Sequence, residues 1–214
     1  MPACMVILTR TPMEGELFSV LKEQIESITA IAQSDNRPMS SGNVTITVGN
    51  TETESLDVTT ALRFVSYREY DDFQKNIIAN DCYTVRFDSI ASKCKSVSVN
   101  LCEIIKSVEG ITKGFSGTYL VRNVFIAKPG KRSELVDALI EQRESLTTNS
   151  PKPNILKSLS SWDEIRSTRP FDSYEALAKS LSQIESPANR SGFDQIVNLT
   201  NRMTRTISKI ECRL

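Results

Sequence analysis

The side chains that usually carry acid–base, nucleophilic and metal chemistry are few in this sequence. It contains no histidine, which excludes histidine-based catalytic triads, histidine metal ligands and a proximal histidine for haem. Its five cysteines form no C-x-x-C pair, so we expect reduced, buried thiols rather than disulfides or a zinc site. Acid–base chemistry is left to Asp, Glu, Tyr, Lys or Cys, and we expect no metal site.

Charge and hydropathy limit the partners. The 26 basic and 26 acidic residues balance, whereas proteins that neutralise several phosphates usually carry a basic excess, so we expect no nucleic-acid partner. A hydrophobic content of 39% is enough to bury a core. No apolar run approaches the length of a membrane span, and the N-terminus shows no signal-peptide pattern. We therefore expect a cytoplasmic protein with no membrane contact.

Two stretches recur in the same order, which predicts an internal duplication. Residues 134–145 repeat seven of the twelve residues of 16–27, at an offset of 118. A shorter block, residues 66–73, matches residues 167–174 at an offset of 101. We predict a first repeat at residues 1–106, a linker at 107–117 and a second repeat at 118–214.

The apolar periodicity predicts the order β-α-β-β-α-β in each repeat, which is the ferredoxin-like plan. Asp71 or Asp72 is expected to cap the second helix of the first repeat. In the second repeat, a strand is expected at 162–167, and Pro170 is expected to open the helix that follows. The fold class is therefore α+β.

Two strand-to-helix junctions carry a family resemblance. The turn at residues 127–131, leading into Glu134 and Leu135, looks like the first strand–helix junction of the dimeric α/β-barrel superfamily. Residues 67–73 resemble that superfamily's entry into the second helix. The group contains antibiotic-biosynthesis and haem-degrading monooxygenases. The resemblance implies that two tandem ferredoxin-like units form one intramolecular α/β barrel.

The family's functional residues transfer only in part. Haem-degrading members use an asparagine on the first strand, a tryptophan and a histidine. Asn123 resembles the asparagine in place and spacing, but Tyr67 and Thr168 stand where the tryptophan belongs, and the histidine has no counterpart. We therefore reject haem degradation by this route and expect no bound cofactor. The resemblance still implies oxygenation or rearrangement of an activated substrate that itself supplies the electrons.

Five residues are candidates for a ligand site. Asn123 shares a strand face with Tyr119 and Phe125, and its amide either bonds a neighbouring backbone group or orients a substrate carbonyl or oxyanion. Tyr67 either donates to a ligand or packs on the first helix. Trp162 is a rim residue or a core residue. We predict Asn123 as catalytic and the other four as substrate-binding.

The repeated Glu-Gln pairs have two interpretations. Glu23-Gln24 and Glu141-Gln142 stand at matching places in the two similar helices. They are either duplicated site residues or residues that keep a structural contact.

The sequence predicts a small-molecule-binding α/β-barrel protein, in the form of a cofactor-independent, monooxygenase-like enzyme acting on an apolar or aromatic metabolite. A cyclase-like or isomerase-like reaction is compatible with the same site. The alternative is a non-catalytic ligand-binding or stress-response barrel protein. We also expect a homodimer, because ferredoxin-like sheets expose edges that need cover. Only the second repeat carries Asn123 and the Lys128-Pro129-Gly130 turn, which predicts one working cleft there.

Overall fold

The chain has an α+β fold, as the sequence predicted. The computed structural model describes residues 3–33, 39–50, 56–110, 116–146, 151–184 and 187–214. Its strands and helices are numbered along the chain, with the bounds given below. The residues group into two compact units. Unit 1 comprises residues 1–48, 54–103 and 210–214, and unit 2 comprises residues 49–53 and 104–209.

Unit 1 is built around the first strand, which pairs antiparallel with the third and fourth strands, while the second strand pairs with the third. This gives the local strand order β2-β3-β1-β4, an order consistent with the ferredoxin-like plan. Its elements are β1 Cys4–Pro12, α1 Leu17–Ala32, β2 Ser41–Asn50, β3 Val58–Phe64, α2 Tyr67–Ile78, α3 Asp81–Ala91 and β4 Cys94–Lys106.

Unit 2 repeats this pairing pattern. Its first strand lies between its third and fourth strands, and its second strand pairs with the third, which gives the order β8-β5-β7-β6. Its elements are β5 Tyr119–Ala127, α4 Arg132–Ser145, β6 Asn154–Ser158, β7 Glu164–Phe171, α5 Tyr174–Ile184, α6 Pro187–Leu199 and β8 Thr200–Arg213. The predicted repeat boundaries at 106 and 118, and the duplication itself, stay predictions.

The two predicted sequence matches differ in structural register. Gly15 and Gly130 both have a positive φ, of 84° and 73°, in the turn that joins the first strand of each unit to its helix. This is a conformation that glycine adopts without strain. These glycines lie 115 residues apart, three fewer than the predicted offset of 118. The match at offset 101 is wrong, because Ser66 precedes a helix whereas Ser167 lies inside β7.

Helix α2 begins earlier than predicted. Ser66 is extended, and its hydroxyl accepts a hydrogen bond from the backbone N–H of Glu69 at 3.2 Å. The Glu69 carboxylate in turn accepts from the N–H of Val65 at 2.5 Å, so the segment approximates a capping box. The prediction that Asp71 or Asp72 caps this helix is therefore wrong, because both lie within it.

The second helix of unit 2 begins later than predicted. Pro170 does not open a helix, because it lies inside β7 opposite Leu120. Helix α5 follows Ser173, whose hydroxyl accepts from the N–H of Ala176 at 3.1 Å. The strand predicted at 162–167 is displaced along the chain, so that Trp162 lies in the turn before it.

Each unit has its own apolar core between sheet and helices. In unit 1 the central aromatic contact joins Phe64 to Phe73, with ring centroids 5.2 Å apart. In unit 2 Phe125, Leu135 and Ile165 are buried in the largest cluster. None of the described helices combines the length and apolar character needed to cross a lipid bilayer.

The core of unit 1 also contains a buried arginine. Arg10, at the end of β1, is 2% exposed and donates from Nη1 to the side-chain oxygen of Gln24 on α1. Its guanidinium lies over the ring of Phe87, 4.8 Å from the centroid. Burial lowers the pKa of Arg10 to about 10, although Cys94 nearby acts in the opposite direction. Arg10 and Gln24 thus form a polar contact inside the helix–sheet layer.

Replacing Ser66 by alanine removes the acceptor at the start of α2, so we expect Ser66→Ala to lower the free energy of unfolding by about 1 kcal/mol. Urea unfolding followed by far-ultraviolet circular dichroism measures the change. Asp72→Asn is the matched control, because Asp72 lies exposed within the helix beside Lys75, and we expect an effect within about 0.5 kcal/mol. The Ser66 cap is contradicted if Asp72→Asn is the more damaging substitution.

The Arg10–Gln24 contact can be tested by a double-mutant cycle. Arg10→Met alone leaves the Gln24 amide buried without its donor and should lower the free energy of unfolding by about 1–3 kcal/mol. In Arg10→Met/Gln24→Leu both polar groups are gone, so we expect much of that loss to be recovered. Simple additivity of the two single changes would show that the pair is not energetically coupled.

Candidate functional site

Unit 2 contains a small cavity between its sheet and the helices α4 and α5. Its volume is about 90 Å³. Apolar walls come from β5, β7 and both helices, including Val121, Phe125, Phe171 and Leu181. Seven polar or charged side chains also line the cavity: Asn123, Gln142, Arg143, Ser167, Arg169, Ser180 and Arg205. The described residues of unit 2 thus provide an apolar cleft with polar groups converging on it.

Asn123 lies on the wall of this cavity, as its predicted role requires. Val121, Asn123 and Phe125 alternate along β5, so all three side chains lie on the same face of the strand. Arg205 stands directly opposite on β8, and its Nε donates to Asn123 Oδ1 at 2.9 Å. The amide oxygen is therefore held by a side chain rather than by the backbone, and the amide nitrogen is a donor at the cavity wall.

Arg169 is the second charged group of the wall. Its Nε donates to the carbonyl oxygen of Pro151 at 2.9 Å, and its Nη1 donates to Ser180 Oγ at 2.9 Å. The guanidinium also lies over the ring of Phe171, 5.2 Å from the centroid. Burial lowers the pKa of Arg169, because removal from water disfavours the charged form.

Arg143 has a structural role at the edge of the cavity. It is 1% exposed and donates to the carbonyl oxygens of Pro153 and Ser107, each at 2.8 Å. It also forms ion pairs with Glu109, at 3.1 Å, and with Glu144. These contacts attach two loop segments to helix α4, which closes one end of the cavity.

The five predicted site residues lie in different places, and only some of them are at the cavity. Asn123 and Phe125 line the cavity. Tyr119 packs beside it, against the ring of Tyr174 at 4.6 Å. Tyr67 begins α2 in unit 1 and packs against the core there, and burial raises its pKa. Trp162 is 90% exposed and is not a core residue.

The arginines of the cavity were not predicted from the sequence. Arg169 and Arg205 gave no signal beyond alternation along their strands, and Arg143 is isolated on a helix. The repeated glutamines differ in environment, since Gln24 contacts Arg10 whereas Gln142 lines the unit 2 cavity. Arg122, on the opposite face of β5, donates to Ser208 Oγ at 2.8 Å, and burial lowers its pKa to about 10, with Arg166 acting in the same direction.

Four cysteines are free thiols. Cys4, Cys94 and Cys102 are buried, and Cys212 is partly exposed. Burial, followed by the charges of Glu69 and Asp71, raises the pKa of Cys4 to about 11, so this thiol is not activated as a nucleophile. Burial also raises the pKa of Cys94.

A second concave region lies on the outer side of unit 2, between α4 and α6. It is a shallow groove lined by four carboxylate side chains: Glu134, Asp137, Glu141 and Asp194. Among the described residues, no group of three or more His, Cys, Asp or Glu side chains is arranged to hold a metal ion. The groove is therefore a solvated acidic surface.

Comparison with known proteins identifies the fold. No protein-family model and no curated protein sequence matches the chain. Solved structures match along nearly its whole length. A candidate monooxygenase from Fusobacterium nucleatum has a TM-score of 0.75 at 9% identity, covering 99% of this chain and 94% of that one.

Two further structures agree with this comparison. An anthrone oxidase-like protein has a TM-score of 0.69 at 14% identity, covering 100% of this chain and 93% of that one. A candidate monooxygenase from Lactobacillus acidophilus has a TM-score of 0.65 at 11% identity, covering 100% of this chain and 96% of that one. The chain therefore has the dimeric α/β-barrel fold of these monooxygenase-like proteins.

Proposed function

We propose that the chain binds a small molecule in the unit 2 cavity and holds negative charge on a ligand oxygen beside Asn123. The observation that supports this proposal best is the 2.9 Å hydrogen bond that Arg205 donates to the side-chain oxygen of Asn123. Because that oxygen is occupied, the amide NH₂ is fixed as a donor at the cavity wall. A ligand carbonyl that gains negative charge is the acceptor this donor suits best.

The reaction class we propose is cofactor-independent and monooxygenase-like. A substrate with an acidic methylene group beside its carbonyl loses one proton to water and enters the cavity as an electron-rich enolate. Its carbon supplies the electrons that dioxygen accepts and takes up one oxygen atom as a new carbonyl, and the second oxygen atom leaves as water. The protein's part is to exclude water, orient the substrate and stabilise its anion. The structural likeness to candidate monooxygenases and to an anthrone oxidase-like protein supports this class.

The size of the cavity restricts the ligand. The cavity measures about 90 Å³. Pockets that enclose drug-sized ligands measure about 300–1,000 Å³. The enclosed part of the ligand is therefore a polar head of a few atoms, and the apolar or aromatic metabolite expected from the sequence requires α4 and α5 to separate.

The second candidate is non-catalytic ligand binding. It is favoured by the chemistry of the lining, since the described cavity residues include no Asp, Glu, Tyr, Lys or Cys to transfer a proton. Under this alternative the same donors hold a ligand without converting it. Oxygen consumption on addition of an identified ligand separates the two functions.

The role of Asn123 can be tested with an isosteric change. Asn123→Asp keeps an oxygen for Arg205 but replaces the amide donor with a second acceptor. We expect ligand affinity to fall at least tenfold, about 1.4 kcal/mol. The ligand is first sought by native mass spectrometry of the wild type against a library of small carbonyl compounds, and its affinity is then measured in both proteins.

Asn76→Ala is the matched control, because Asn76 lies exposed on α2 in unit 1. We expect this variant to bind like the wild type. Unchanged affinity in Asn123→Asp would remove Asn123 from the site.

We also propose that the chain works in the cytoplasm and self-associates. Exposed apolar side chains support self-association: Phe18 is 75% exposed and Val85 is 66% exposed, both in unit 1.

Light scattering should accordingly give a mass above that of the 23.9 kDa chain at high concentration. The charged variant Phe18→Glu should shift the mass toward the monomer. A single 23.9 kDa species across the concentration range contradicts self-association.

A further inference from the structure

The unit 2 cavity has an unbalanced set of charges. Three of its described lining residues carry guanidinium groups, namely Arg143, Arg169 and Arg205, and none carries a carboxylate. Its other polar groups are amides and hydroxyls, which are neutral. The electrostatic character of the wall is therefore positive, in a chain whose formal net charge is zero.

Arg143 does not account for this character. Its charge is met by Glu109, 3.1 Å away, and by Glu144, and two backbone carbonyls accept its remaining bonds. Four of its five N–H donors are engaged in this way. Arg143 is therefore a structural residue, and Arg169 is the arginine to consider as an anchor for a ligand.

Arg169 is partly buried and is surrounded by neutral groups. Its bonding partners are the Pro151 carbonyl and the Ser180 hydroxyl. No carboxylate of the described residues lies within ion-pair distance of it. Two of its five N–H donors make these bonds, and the ring of Phe171 partly compensates its charge. A partly buried charge in such surroundings is stabilised most by an anion.

We propose that the cavity binds a small carboxylate anchored by Arg169, an inference that rests on the proposed ligand-binding role of the cavity. A carboxylate is planar and accepts two parallel bonds from one guanidinium. Asn123 provides a further donor at the same wall. The apolar side chains of Phe171 and Leu181 suit a short aliphatic chain beside the charged head.

The available volume limits the size of the anion. About 90 Å³ lies well below the roughly 300–1,000 Å³ of pockets that enclose drug-sized ligands, which favours a carboxylate with few carbon atoms. The ligand class is thus a short-chain monocarboxylate or 2-oxo acid, with its second oxygen function placed near Asn123.

Propionate and propionamide form the decisive pair of probes, because they have the same shape and differ in charge. The binding is measured by NMR, from the backbone amide chemical shifts of ¹⁵N-labelled protein titrated in low-chloride buffer at pH 7. Propionate should shift the amide signals of β7 and α5, with a Kd on the order of 1 mM, as expected for a ligand of few atoms. Propionamide should bind at least tenfold more weakly.

Variants then assign the anchor. Arg169→Met should weaken propionate binding at least tenfold, and Arg169→Lys, which keeps the charge but not the planar fork, should recover part of it. Arg68→Met, an exposed arginine on α2 of unit 1, is the matched control and should bind like the wild type.

The outcomes separate the two proposals. Equal binding of propionate and propionamide at the β7–α5 signals, or propionate binding that is unchanged in both Arg169 variants, overturns the carboxylate class and leaves the proposed small-molecule site standing. If neither probe shifts any signal of β5, β7 or α5 up to 100-fold above the expected Kd, both are overturned. The comparison of probes uses the wild-type chain, so it stays decisive even if Arg169→Met does not fold.

Discussion

A buried guanidinium must be supplied with acceptors, and this constraint organises the polar interior of both units. Arg10 in unit 1 and Arg143 in unit 2 are almost fully buried. Leaving such a group without partners costs more than most side-chain contacts contribute. The segments around each arginine are therefore fixed: a glutamine on the adjacent helix for Arg10, and two loop carbonyls with two glutamates for Arg143.

The two units resolve the same constraint in different ways. In unit 1 the helix–sheet layer is occupied by Arg10, which contacts Gln24 and lies over Phe87. In unit 2 the arginines stand at the wall of a cavity, and one of them, Arg169, is surrounded by neutral groups. Placing the candidate site in unit 2 therefore follows from where each arginine lies, while the sequence hypothesis of one working cleft stays a prediction.

The sequence predicts the fold well because its signals are local. Strand alternation, the helical stripe of α1 and the turns at Gly15 and Gly130 act over a few residues. Errors arose where two local signals competed. Pro170 suits the first turn of a helix but lies in β7, and Ser66 rather than Asp71 caps α2.

The candidate site was predicted only in part. Asn123 and Phe125 follow from strand alternation and a family resemblance, and both line the cavity. Arg205 reaches Asn123 only because β8 pairs with β5, 82 residues away in sequence. Arg169 is a candidate anchor because its partners are neutral, and no sequence pattern predicts which groups will surround it. Long-range pairing and the absence of nearby charge are properties of the folded molecule.

The exposed position of Trp162 has a practical consequence for spectroscopy. The chain has one tryptophan, and it lies 90% exposed in the turn before β7. Its indole is already in a water-like environment in the native state, so its emission maximum will change little when the chain unfolds. Intrinsic tryptophan fluorescence is thus a poor reporter of unfolding for this protein, because the buried rings of the core belong to Phe64, Phe73 and Phe125 rather than to the tryptophan.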